Sequence, residues 1–236
     1  MRDFAKENNI DFWEGKGVCH QIMMEHYVCP GELIFGADSH TCSYGALGAF
    51  GTGVGCTDLL YGMVTGKSWV LVPETVKFNL VGKLPEGVYA RDLILTIIGT
   101  IGANGCNYQV MEFTGEGAKT LSISERMVLC NMAVEAGAKT GIFEPDEKAI
   151  EYLEAHGRKP KALFTSDPDA VYAREYTFDL SKIRPVVAKP DFVDNLVPAE
   201  EVRGVKIDEA FLGSCNNGRI EDLRVGASII KGKKVA

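Results

Sequence analysis

Asp38-Ser39-His40 places a carboxylate, a hydroxyl and an imidazole in direct succession. An imidazole beside a carboxylate can shuttle a proton, and the acid can fix the orientation of the ring. The same residue types also suit a turn between a strand and a helix, with Asp38 or Ser39 capping the helix start. Both readings stand on local grounds. Glycines follow at positions 45, 48, 51, 53 and 55. They permit close approach of the backbone to a ligand or to a neighbouring helix. Gly51-Thr52-Gly53-Val54-Gly55 does not match the Gly-x-Gly-x-x-Gly spacing and gives little support for a nucleotide loop.

A second group lies in a segment that opens with Ser122-Ile123-Ser124-Glu125, a capping-box pattern. From Met127 to Ala136 nearly every residue is apolar, all round the helix, so this helix is expected to be buried. Asn131 and Glu135 are the exceptions, and their spacing of four puts them on one helical face. A buried glutamate is costly unless it is paired. The two are either a structural polar pair or point into a site where Glu135 partners a histidine.

Cys215 is expected at a strand end and before a helix N-terminus, in Gly213-Ser214-Cys215-Asn216-Asn217-Gly218. Such a position favours a thiolate, which makes Cys215 the best metal-ligand candidate among the seven cysteines. The alternative is a partly buried loop cysteine. Arg219 reads as a surface or carboxylate-pairing residue. His20 follows a Gly-rich turn and is either ligand-facing or structural. The seven cysteines are odd in number and irregularly spaced, without Cys-x-x-Cys. That suits reduced thiols better than a disulfide framework.

These residues need elements to position them. Leu33-Ile34-Phe35 reads as a short buried strand, Cys56 to Thr65 as a helix ended by Gly66, and Trp69-Val70-Leu71-Val72 as another strand. Alternation of this kind predicts an α/β fold with a parallel sheet. Val76 to Val81 alternates like a half-exposed strand. Arg91 to Ile101 reads as a helix, and so does Glu147 to His156, capped by Asp146. The proline-dotted stretch from Arg158 to Pro198 reads as a boundary region whose clearest strand is Tyr176 to Leu180. Ala210-Phe211-Leu212 is expected to end a strand, Arg219 to Lys231 to form a helix, and residues 233–236 to begin a further strand.

The chain has 236 residues, 46% of them hydrophobic, and a net charge of -7 without a basic block. This argues against a nucleic-acid groove and against an anionic membrane surface. No apolar stretch reaches the ~18 residues needed to span a bilayer. The N-terminus is charged and lacks an apolar signal-peptide region, which makes a cytoplasmic location the expectation.

GVCHQ, GADSHT, NMAVEAGA and GSCNNGRIEDL, in this order and at these separations, resemble the aconitase superfamily. The resemblance is nearest to the branch of large subunits formed by 3-isopropylmalate dehydratases and homoaconitases of archaeal-like form. It runs over essentially the whole chain. It implies a hydro-lyase that dehydrates and rehydrates a hydroxy di- or tricarboxylic acid at a 4Fe-4S cluster, with isopropylmalate as the first substrate class. Homoaconitate, methylmalate/citraconate or dimethylmalate chemistry is the near alternative, and a non-catalytic scaffold is an alternative of another class. A separate small subunit is the implied partner.

By the same resemblance Asp38, Ser39 and His40 match an active-site motif, with acid/base and water-handling roles for His40 and Asp38. Asn131 and Glu135 match a pair near the cluster, and His20 matches a further active-site histidine. Cys215 matches the first cluster cysteine, with Asn217 in the same cofactor-binding motif. The family's usual Ser-Cys-Thr-Asn reads here Ser214-Cys215-Asn216-Asn217, with Asn216 in the threonine's place. The resemblance further implies an internal segment. An upstream Asp-His motif, a downstream Cys-x-x-Cys and carboxylate-gripping arginines are expected outside it, and the isolated segment is expected to be inactive. The expected division is the later part of a first α/β/α domain over 1–73, a second α/β domain over 74–190 and the beginning of a third over 191–236.

Overall fold

The computed structural model describes residues 1–234. Helix α1 (Arg2–Glu7) and helix α2 (Cys19–His26) lead into strand β1 (Leu33–Gly36). A 3₁₀ helix over Ser39–Leu47 connects β1 to strand β2 (Phe50–Gly53), which pairs with it in parallel, Leu33 opposite Phe50 and Gly36 opposite Gly53. Asp38 caps the 3₁₀ helix, accepting from the His40 amide, and Gly48 ends it in the left-handed region at φ 79°. Helix α3 (Cys56–Thr65) follows and is capped by Gly66, as the sequence suggests.

Two expectations about strands in the first part of the chain do not hold. Leu33 at the start of β1 is 58% exposed, so β1 is not a fully buried strand. Residues 69–72 are not a strand at all, and Trp69 and Val72 are 81% and 86% exposed. A strand requires a neighbour for its N–H and C=O groups, and the sheet of β1 and β2 stops at two strands among the described residues.

The larger sheet is wholly parallel. Strand β3 (Thr75–Val81) is followed by helix α4 (Ala90–Ile101), strand β4 (Val110–Thr114), short helix α5 (Glu116–Thr120) and helix α6 (Ile123–Asn131). A 3₁₀ turn over Met132–Ala136 extends α6. Strand β5 (Thr140–Phe143), helix α7 (Glu147–Ala155) and strand β6 (Arg174–Asp179) complete the unit, in the order β5-β4-β3-β6. The alternation read in β3 is real: Val76, Phe78 and Leu80 are fully buried while the residues between them are half-buried. Register places Phe143, Phe113, Phe78 and Tyr176 side by side across all four strands. Their ring centroids lie 5.1, 5.6 and 5.5 Å apart in turn. Aromatic neighbours at this spacing add to the burial of their area, and Leu93, Ile94, Ile97 and Ile98 of α4 join the same core.

The expected capping box opens α6: Ser122 accepts from the Glu125 amide, and the Glu125 carboxylate accepts from the Ser122 amide at 2.7 Å. The helix is buried as expected, but its interior also holds a charge. Arg126 is 1% exposed and donates to both oxygens of Asp146, at 2.8 and 2.5 Å. Asp146 in turn caps α7 by accepting from the Ala149 amide. The boundary stretch carries β6 and then strand β7 (Val186–Ala188), which pairs antiparallel with strand β8 (Leu196–Pro198). Helix α8 (Ile220–Ile230) closes the described chain, with Arg219 before it as the N-cap. Residues 210–212 precede the cysteine loop without forming a strand, and Phe211 is 80% exposed. Lys233 and Lys234 have no regular structure, and positions 235–236 of the strand expected there lie outside the described residues.

The 3₁₀ helix over Ser39–Leu47 lies directly on α6 and β5. A Cβ added at Gly45 would come within 1.7 Å of the Gly141 carbonyl oxygen, and one added at Gly141 within 2.9 Å of the Cys130 Cα. Both neighbours are backbone and cannot swing aside. Gly45→Ala is therefore expected to lower the unfolding free energy of the full-length protein by about 1–3 kcal/mol, the usual cost of overpacking, and to lift His40 away from α6. Urea denaturation measures the first effect. An unchanged midpoint would show that β5 yields freely at this crossing.

Candidate active site

Two histidines converge on one turn of chain. His20, on α2, is 3% exposed. Its Nε2 lies 3.0 Å from Asp38 Oδ1 and its Nδ1 3.2 Å from the Tyr44 hydroxyl. An ionised carboxylate only accepts, so Nε2 carries the hydrogen and Nδ1 is free to accept from Tyr44. Burial pushes the His20 pKa down, against the pull of Asp38, which keeps this ring neutral. Asp38 caps the 3₁₀ helix and also bonds an imidazole, that of His20 and not of the adjacent His40. The oxygen that meets His20 also accepts from the His40 amide at 2.8 Å. Burial alone would raise the Asp38 pKa; that amide and the His20 ring bring it below the usual carboxylate value.

His40 stands in a different environment. Its Nε2 is 3.8 Å from Glu135 Oε1, within ion-pair range, and its Nδ1 is 3.6 Å from Asp38 Oδ1. Glu135 raises the His40 pKa, against some desolvation, and His40 in turn holds the Glu135 carboxyl below its usual value. Ser39 Oγ lies 3.5 Å from His40 Nδ1. The reading that Glu135 meets a histidine agrees with this geometry. The reading that it is buried does not, since its side chain is 42% exposed. The backbone tightens into a 3₁₀ turn after Asn131 and turns Glu135 outward.

Asn131 is buried and faces the cysteine loop. Its Nδ2 donates to Ser43 Oγ at 2.9 Å and approaches Cys215 Sγ at 3.5 Å. Ser43 Oγ donates to the His40 carbonyl at 2.7 Å, so the cysteine loop is tied back to the imidazole turn. Arg219 is neither a surface residue nor chiefly a carboxylate partner: its guanidinium donates to the carbonyls of Asn216 and Cys215 at 2.6 and 3.2 Å. Asn217 donates to Asp222 Oδ1 at 3.0 Å, which anchors the loop to α8. A cavity of about 470 Å³ opens beside Cys215, lined among others by Gln21, Glu25, Tyr152, His156 and Arg219.

The structure thus gathers His20, Asp38, Ser39, His40, Asn131, Glu135 and Cys215, which come from four separated stretches of sequence. Sequence reasoning missed Ser43, Tyr44 and Arg91. Ser43 had a signal: it lies three residues after His40, one turn of a 3₁₀ helix. Arg91, which donates to the Asn216 side chain, had none. All seven cysteines are free, and Cys42 and Cys130 are buried with thiol pKa values pushed up by desolvation, Cys42 to about 12. They are unsuited to act as thiolates. Among the described residues no group of three His, Cys, Asp or Glu side chains is placed to hold a metal ion. An iron–sulfur cluster is held by several thiolates. Cys215, half-exposed and faced by an amide donor, fits as one such ligand; the described residues do not supply the full set.

The two histidines should titrate on opposite sides of the ordinary value of about 6.5. His40 has a raised folded-state pKa, so its pairing stabilises the fold fully below the ordinary histidine value and is lost as pH rises through the raised one. Glu135 mirrors this: its share is present above the ordinary glutamate value and fades as pH falls through the depressed one. Glu135→Gln should bring the His40 titration downward and leave His20 in place, as followed by NMR of the ring Cε1 protons. An unmoved His40 midpoint would remove Glu135 as its partner.

No described helix is long and apolar enough to cross a membrane. The model of the aconitase family (aconitate hydratase) matches residues 1–204. A "3-isopropylmalate dehydratase large subunit" of Hydrogenobaculum sp. is 53% identical over all of this chain and 56% of its own length. A "3-isopropylmalate dehydratase large subunit 1" of Methanopyrus kandleri is 50% identical, and a "Probable 3-isopropylmalate dehydratase large subunit" of Methanothermobacter thermautotrophicus 52%, each over all of this chain and 57% of its own length. The chain spans little more than half the length of these relatives. With the family match over residues 1–204 and these identities over the whole chain, the chain, an α/β protein, belongs to the aconitase family.

Proposed function

We propose that this chain belongs to a hydro-lyase large subunit that interconverts 3-isopropylmalate and 2-isopropylmalate in leucine biosynthesis. The observation that carries the reading is the convergence of two histidines around Asp38, His40 with Glu135 as a second carboxylate, on the turn joined through Ser43 and Asn131 to Cys215. The names of the relatives support the substrate, and "large subunit" supports a separate small subunit as partner. The expected division near residues 73 and 190 and a cytoplasmic location belong to the same proposal.

Dehydration of a hydroxy acid moves a proton from one carbon to a general base and hydroxide off its neighbour, and the role proposed for this segment is that of the acid that protonates the departing hydroxide. A leaving hydroxyl needs a proton donor whose pKa lies near working pH. His40, held protonated by Glu135, is that donor, and it recovers the proton when water adds back. Asp38 fixes the turn and the neutral His20 beside it, so the two rings keep distinct protonation states. Cys215 is the cluster ligand this segment provides. When bound, the 4Fe-4S cluster supplies a Lewis-acidic iron for the substrate's hydroxyl and carboxylate.

The test uses the full-length large subunit, loaded anaerobically with iron and sulfide and mixed with its small subunit. Bound iron and sulfide and turnover of 3-isopropylmalate are expected, and His40→Gln should lower kcat by about 10²–10⁴-fold, the range for loss of a general acid. A pair that binds no cluster defeats the hydro-lyase reading. Preferential turnover of homocitrate, citramalate or dimethylmalate keeps the chemistry and overturns the substrate.

A further inference from the structure

Asn216 stands where the resembling family has threonine, and the residue is 5% exposed. Its Oδ1 accepts from Arg91 Nη1, while its Nδ2 donates to the Val128 carbonyl at 3.2 Å and to Asn131 Oδ1 at 2.9 Å. Arginine only donates and a carbonyl only accepts. The Asn216 amide can therefore face only one way, with oxygen to Arg91 and nitrogen to Val128. That orientation propagates. Asn131 must present its oxygen to Asn216, which leaves its nitrogen for Ser43 and Cys215. Ser43 is free to accept because its own hydrogen goes to the His40 carbonyl.

We propose that Asn216, locked by Arg91 and Val128, is a positioning residue that keeps the N–H edge of Asn131 turned toward the Cys215 sulfur. It acts through Asn131 and does not itself touch the sulfur. A sulfur that carries negative charge, as a free thiolate or bound to metal, is stabilised by an N–H donor and destabilised by a carbonyl lone pair at the same place. The idea rests on the reading of Cys215 as the cofactor ligand for its purpose, but not for its geometry.

Asn216→Asp inverts the device with almost no change of shape. Aspartate keeps the contact with Arg91, now as an ion pair, but can no longer donate to Asn131. The Asn131 amide must then turn over to donate to residue 216, which brings its oxygen to Ser43 and Cys215. The readout is the rate at which iodoacetamide alkylates Cys215 at fixed pH in the cluster-free full-length protein, followed by mass spectrometry of the Cys215 peptide. Asn216→Asp should slow it on the order of tenfold, the scale of one charge-assisted hydrogen bond.

The added negative charge is separated from the amide flip by a double-mutant cycle with Asn131→Ala. In that background Asn216→Asp should alter the rate by less than about twofold, since the group it acts through is gone. Equal slowing in both backgrounds would mean simple charge repulsion and would overturn the proposal, as would an unchanged rate in the single variant. Should the wild-type protein bind no cluster, the hydro-lyase reading fails, yet the cycle still decides the role of Asn216.

Discussion

The close crossing of the Ser39–Leu47 3₁₀ helix over β5 and α6 is the constraint on which the site depends. At Gly45 the 3₁₀ helix meets the β5 backbone, and at Gly141 β5 meets the α6 backbone, each so nearly that there is no room for a Cβ. One consequence is that His40 comes within ion-pair range of Glu135, which lies ninety-five residues further along the chain. Another is that Ser43 reaches Asn131, and Cys42 donates to the Asn131 carbonyl. The parallel sheet fixes β5, the aromatic row across its four strands fixes the sheet, and the glycines let the imidazole turn rest on that fixed surface.

On this surface, two histidines with similar partners acquire opposite character. Each lies near a carboxylate, and both share Asp38. The difference is solvent. His20 is buried between α2 and Tyr44, so loss of hydration outweighs the attraction of Asp38. His40 is 29% exposed and has a second carboxylate in Glu135, so attraction outweighs desolvation. Paired groups whose environments move them apart in pKa are how one site holds a proton and withholds another at the same pH.

Local features of the sequence were legible where local physics decides. Alternation along β3, the capping box of α6, the Asp146 cap of α7 and the Gly66 cap of α3 all follow from nearest-neighbour rules. The apolar runs 69–72 and 210–212 were misread because an apolar tetrad or triad says nothing about whether a partner strand lies beside it. Within the site, Asp38 and His40 were visible as a motif and Asn131 as a polar interruption. Arg91 and Asn216 were not, because their meaning is a contact across 125 residues that leaves no local pattern. The substitution at 216 was visible as a departure from the family motif, but its partners had to be seen in three dimensions.

The pairing of Asn131 with Glu135 shows why a correct motif can still carry the wrong geometry. In an uninterrupted α-helix, residues four apart differ by about 40° around the axis, so both would face one partner. A 3₁₀ turn advances about 120° per residue, and four such steps place the second residue about 120° from the first. The chain makes this change directly after Asn131. Asn131 therefore remains inside, facing Ser43 and Cys215, while Glu135 swings toward solvent and the edge of His40. A continuous helix would have held both groups against one partner and left Glu135 buried, where an unpaired carboxylate favours its neutral form. The tightened turn keeps Glu135 hydrated enough to stay ionised, and its charge is what holds the proton on His40.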